Sequence, residues 1–143
     1  MLPHRLSSKI MLTTAVCIAA LPLASETAQS CEPFQYLETF TQTDQAPSGS
    51  SCTTYLSQTS NTGISCHWKF VYRNAGAEAL ASKLWSGLMT CRAGQERAED
   101  LPVNHPDSYL LKIWDIETGI YRLSIKDKAA LGATFVFLSF EGD

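Results

Sequence analysis

The clearest pattern in the chain runs from Cys66 to Arg73, where apolar and polar positions alternate. Cys66, Trp68, Phe70 and Tyr72 fall on one side; His67, Lys69, Val71 and Arg73 fall on the other. A period of two is that of a strand with one covered face and one wet face. After Asn74-Ala75-Gly76 the period changes. Ala77, Leu80, Ala81, Leu84, Leu88 and Cys91 share one stripe at helical spacing, with Trp85 and Met89 widening it. The spacing predicts an amphipathic helix over residues 77–91, laid on a sheet. Asn74 is placed to cap it by accepting from an orphan backbone N–H. Glu78 suits the positive end of the helix dipole and Arg92 the negative end. Gly94 is the expected left-handed residue closing the helix, and Gly87 is an interior weak point.

Elsewhere the chain reads as strands and turns. Phe34–Phe40 alternates and predicts a strand, with Phe34, Tyr36, Glu38 and Phe40 on one side. Cys52–Thr59 is a second strand, and residues 60–63 turn into the central one. Tyr109–Ile116 and Ile120–Asp127 flank Glu117-Thr118-Gly119 as a β-hairpin. Residues 126–132 make a polar turn with a short helical bend at 128–131. Ala133–Phe140 is apolar at both parities, the mark of a central strand covered on each side. Two segments have loop composition, 41–51 and 93–107; a loop as long as the second is more often functional or mobile than a plain connection, although a solvated linker between the helix and the next strand accounts for it more simply. The expected fold is α+β: a predominantly antiparallel sheet of order β-β-β-α-β-β-β with one amphipathic helix packed on a sheet face. Trp68, Trp85 and Trp114 belong to its core or rim.

The N-terminus changes the picture of where this fold works. His4, Arg5 and Lys9 precede an almost wholly apolar run, Ile10–Ala20, which Pro22 ends. That run is too short for a stable anchor across about 30 Å of hydrocarbon, and it reads as the core of a signal peptide. Residues 1–30 are the expected signal, cut after Ser30, and 31–143 the mature domain, periplasmic or secreted. Ala28 and Gln29 depart from the pattern that precedes a lipidated cysteine, which argues against lipidation at Cys31.

Cys17 leaves with the signal, and Cys31, Cys52, Cys66 and Cys91 stay. An even number in a small exported domain predicts two disulfides. Of the three pairings, Cys31–Cys52 with Cys66–Cys91 is favoured: the first ties the N-terminal segment to the next strand, the second staples the helix end to its partner strand.

Charge narrows the partners. The precursor carries 11 basic and 14 acidic residues, and loss of Arg5, Lys9 and Glu26 leaves 9 and 13. Such a chain lacks the basic patch that nucleic acid or anionic lipid requires. No second apolar segment is long enough to anchor it in a membrane.

Candidate chemistry is sparse. Asn104-His105-Pro106-Asp107-Ser108-Tyr109 is the densest polar cluster. His105 oriented by Asp107 could serve as base or ligand, and Asn104, His105, Asp107 and Tyr109 form a candidate binding loop; turn chemistry accounts for the same residues more simply. His67 lies beside Lys69 and Arg73, where an anion would fit, although an ordinary exposed face explains it. Glu96, Glu99 and Asp100 are a loop run of carboxylates of the kind usually solvated. Ser108 lacks a GxSxG context. There is no CxxC, HExxH, P-loop or dinucleotide fingerprint, so neither a metal nor a cofactor is expected. The reading that follows is a small exported non-enzymatic binding protein, such as an envelope adaptor or inhibitor, with a protein partner. Two alternatives are a small exported enzyme using His105 and Asp107 and a carrier of a small apolar ligand held between helix and sheet.

Overall fold

The computed structural model of the protein describes residues 30–40, 46–58, 60–98 and 108–143, and at 108 and 109 the backbone alone. The fold is α+β. Six strands form one antiparallel sheet: β1 (Ser51–Leu56), β2 (Thr62–Val71), β3 (Gln95–Arg97), β4 (Ser108–Ile116), β5 (Gly119–Lys128) and β6 (Ala133–Gly142). Their spatial order is β1-β2-β6-β5-β4-β3. Two helices, α1 (Glu32–Thr39) and α2 (Ala75–Cys91), accompany them.

Both helices lie on one face of the sheet. The core joins Phe34 and Leu37 of α1 and Ala77, Ala81, Leu84, Trp85 and Leu88 of α2 to sheet residues of a single parity. On β2 these are Ile64, Cys66 and Trp68; on β5, Tyr121, Leu123 and Ile125; on β6, Val136, Leu138 and Phe140. The register puts them in line across the sheet, as in Cys66–Leu138–Leu123 and Trp68–Val136–Ile125. The alternation of 66–71 thus does set an apolar face against a wet one.

α2 follows its expected stripe and cap. Asn74 Oδ1 accepts from the Gly76 amide at 2.7 Å, and Trp85 joins the buried stripe. Met89 does not; it is 45% exposed. The helix also ends differently. Arg92 leaves in an extended conformation, its amide donating to the Leu88 carbonyl, and Gly94 is not in the left-handed region. Gly94 is instead a point of close approach, where a Cβ would collide with the Asp115 carbonyl and the Trp114 indole. That approach lets β3 pair with β4 directly after the helix, inside the segment read as loop.

The strand expected at Phe34–Phe40 is helix α1. Pro33 stands in the first turn, where its fixed φ and missing N–H fit a helix. Phe34 and Leu37, on opposite sides in the strand reading, are both buried in the core. The ring centroids of Tyr36 and Phe40 are 6.0 Å apart, edge to face. The segment satisfies both periods, and tertiary ties select the helical one.

The expected cysteine pairing is also corrected. The disulfides are Cys31–Cys91 and Cys52–Cys66. Cys52 and Cys66 are directly opposite each other in the β1–β2 ladder, so the hairpin itself juxtaposes them. Cys31, just before α1, reaches the last residue of α2.

The hairpin around Glu117 and Thr118 forms as expected, with Ile116 opposite Gly119. A short 3₁₀ turn, Ala129–Leu131, closes on Gly132 at φ +57°. β6 is central as expected, between β2 and β5. Only one of its faces lies under the helices: Phe135 and Phe137 on the other are half-buried.

Candidate interaction surfaces

Four of the sequence-derived site residues bear on the 104–109 cluster. Asn104, His105 and Asp107 lie outside the described residues, as do Glu99, Asp100 and residues 1–29 of the expected signal segment 1–30. Tyr109 is described by its backbone in β4. Glu96, also considered as an acid, faces Lys112 at 3.3 Å across β3 and β4. Among the described residues no group of three or more His, Cys, Asp or Glu side chains could hold a metal ion. All four cysteines of residues 31–143 are in disulfides.

The most strongly perturbed polar cluster joins three residues far apart in sequence. Glu38 of α1 accepts from Arg92 Nε at 2.5 Å and from Nη2 at 2.6 Å, a bidentate pair. The Tyr121 hydroxyl donates to Glu38 Oε1 at 2.5 Å and lies 3.2 Å from the Phe34 carbonyl. Burial, and then the negative Glu38, push the Tyr121 hydroxyl well above the ordinary phenol value of 10.0, against the opposing pull of Arg92. The Glu38 hydrogen bond likewise raises the Arg92 guanidinium above its ordinary value in spite of its partial burial. Tyr121 is completely buried, so no substrate reaches its hydroxyl. The cluster is an internal clamp of α1 onto α2 and β5, and the Cys31–Cys91 disulfide adds a second link between the helices.

Among the described residues, two surfaces have the lining of an interaction site. The first is a groove of about 570 Å³ between the helices and the segment leading into β1. Pro33, Phe34, Trp68, Leu80, Leu84 and Gly87 supply its apolar lining; Glu32 and Lys83 are its charged members. The Trp68 indole N–H donates to the Ser48 carbonyl at 3.0 Å, which fixes one wall. The volume is within the usual range for small-molecule sites.

The second is the sheet face opposite the helices. Register places Lys69, Phe135 and Lys126 side by side on β2, β6 and β5. The next row is His67, Phe137, Ser124 and Leu111. His67 sits against both phenylalanines, with ring centroids at 5.7 Å from Phe135 and 5.6 Å from Phe137. The Lys126 ammonium is 5.3 Å from the Phe137 ring centre, a cation–π contact. Val71, 73% exposed, and Leu111, 39% exposed, extend the apolar band at its two ends. Arg73, expected beside His67 and Lys69, turns away from this face. It lies beyond β2 at φ +54° and pairs with Asp127 at 3.3 Å. The His67 position was noted in the sequence; its two aromatic neighbours, some seventy residues on, were not, although ATFVFLSF gave the signal by being apolar at both parities.

No family model, curated protein or solved structure matches the chain. Two disulfides fit an oxidising compartment. Among the described residues no helix is long and apolar enough to cross a membrane.

Proposed function

We propose that the chain is exported through its N-terminal signal and acts, outside the cytoplasm, as a non-enzymatic binding protein that recognises another protein through the sheet face opposite its helices. The observation that carries this reading is the half-buried cluster of His67, Phe135 and Phe137 on that face. A sheet with one face under helices ordinarily keeps the other polar; aromatic side chains retained there are the composition of an interaction surface. The two disulfides support export.

Phe135→Ser with Phe137→Ser tests the reading. Both side chains point away from the helix-covered core, so the variant keeps its fold by far-UV circular dichroism. The exported wild-type protein, immobilised in envelope or supernatant extracts, should capture a saturable partner that the variant does not. Equal capture by both proteins would refute the role of this face. Intact mass of the exported protein, alkylated without reduction, should match Cys31–Asp143 with no labelled thiol.

A second reading, carriage of a small apolar ligand, is favoured by the 570 Å³ groove beside Trp68. It expects a ligand co-purifying under native mass spectrometry and a change in Trp68 emission when that ligand is removed.

A further inference from the structure

The chemistry of the partner follows from how charge is arranged around the apolar band, granted that the face is a docking surface as proposed above. We infer that it accepts an amphipathic helix whose apolar stripe is edged by carboxylates.

The argument begins with register. Phe135 and Phe137 are two residues apart on β6 and point to the same side, about 6.6 Å apart along the strand. On the flanking strands, Lys69 and Lys126 stand on either side of Phe135. Neighbouring strands are about 4.8 Å apart, so the two lysine backbones are separated by about 10 Å. That is about the diameter of an α-helix with its side chains. A helix lying along β6 would cover both rings and place its two edges over the two lysines.

Charge selects the kind of helix. Lys69 is exposed and makes no ion pair among the described residues. Lys126 lies over the ring of Phe137. No Asp or Glu shares the rows of Phe135 and Phe137 in the described register. The carboxylates of this face stand nearer its other end, where Glu141 pairs with Arg122 at 2.9 Å and Asp115 pairs with Arg97. A chain of formal charge −3 therefore presents local positive charge beside its apolar band. Complementary charge orients an encounter and penalises wrong partners. A second copy of this chain is the poorer occupant, because a two-fold contact sets the Lys69–Phe135–Lys126 row either against itself or against the end where Glu141 and Asp115 are already paired with Arg122 and Arg97.

The test uses the protein purified after export, labelled with ¹⁵N, and three synthetic helical peptides. One has a leucine stripe edged by glutamates. The second has the same stripe edged by lysines. The third keeps the glutamates and replaces leucine by serine. The first should shift the amide resonances of residues 67–69, 124–126 and 135–137 saturably, and more weakly as salt is raised. The other two should bind at least about tenfold more weakly. Lys69→Glu with Lys126→Glu, both outside the core, should reverse the preference toward the lysine-edged peptide.

Equal binding of the glutamate- and lysine-edged peptides would overturn the charge selectivity. Shifts of the same amides with protein concentration alone would identify a second copy as the occupant and overturn the inference. So would shifts produced by Glu99→Lys with Asp100→Lys in the absence of peptide, which would assign the face to the chain's own 99–107 segment. If no peptide binds while Phe135→Ser with Phe137→Ser still abolishes capture from extracts, the face is a docking surface and the helix chemistry is wrong. If capture is also unaffected, both readings fall.

Discussion

Tyr121 is fully buried. Its ring packs edge to face on Phe34 at 5.9 Å, and its hydroxyl points at a carboxylate already held by Arg92. An acid whose pKa is raised by folding holds its proton more tightly in the native chain than in the unfolded one. Above about pH 10, the ordinary phenol value, the unfolded chain loses that proton first, so stability falls as pH rises from there. Below pH 10 the contribution is whole. Urea unfolding should therefore show a midpoint that declines above pH 10 in the wild type, and Tyr121→Phe should flatten that decline. Glu38→Ala strands a guanidinium that is only 20% exposed and leaves the buried phenol without its carboxylate acceptor. A loss of about 2–3 kcal/mol is expected, read from urea unfolding at neutral pH; a loss near zero would mean that Arg92 and Tyr121 find other partners. In the sequence, Glu38 is the odd member of an otherwise aromatic side, with Phe34, Tyr36 and Phe40. That anomaly is the one local trace of the clamp. Its partners lie 54 and 83 residues away, beyond the reach of any periodicity.

At the scale of elements, the disulfides divide the work by loop length. Cys31–Cys91 closes a separation of 60 residues and Cys52–Cys66 one of 14. On chain-entropy grounds they contribute about 4 and about 3 kcal/mol. Replacing Cys31 and Cys91 by serine should be the costlier change in urea unfolding, and digestion without reduction should yield a linked Cys31–Cys91 peptide. A Cys31–Cys52 peptide would reverse the assignment. The N-cap Asn74→Ala should lower stability by about 1 kcal/mol, since the Gly76 amide loses its acceptor. Elements with a long, unambiguous period were legible before the structure: β2, α2, the β4–β5 hairpin and β6. α1 was not, because FQYLETF fits a period of two as well as one of 3.6; Pro33 was the discriminating residue. β3 was not, because three polar residues carry no pattern, and it exists through the approach that Gly94 permits. The pairing of cysteines failed with α1, since a strand at 34–40 leaves Cys31 near Cys52 and a helix carries it to Cys91.

Across the whole molecule, β6 divides two environments within consecutive residues. Leu138 is fully buried beneath the helices, while Phe137 beside it is half-buried on the opposite face. Removing each side chain asks whether the two faces differ in solution as the architecture requires. Leu138→Ala opens a cavity between Cys66 and Leu123, its neighbours across the sheet, and should cost about 2–5 kcal/mol. Phe137 is the larger side chain, and in a closed core Phe→Ala would cost about 3–5 kcal/mol. Among the described residues no element covers its face, and it forfeits mainly contacts with His67 and the Lys126 cation, so about 1–2 kcal/mol is expected. The order of the two losses, measured by urea unfolding of the isolated protein, is therefore the reverse of the order of side-chain size. If Phe137→Ala costs as much as Leu138→Ala, the face is already covered within the chain and no partner is needed to account for its aromatic residues. If the expected order holds and a bound partner then raises the cost of Phe137→Ala alone, the apolar band is completed in the complex, and the sheet acquires its second layer from another protein.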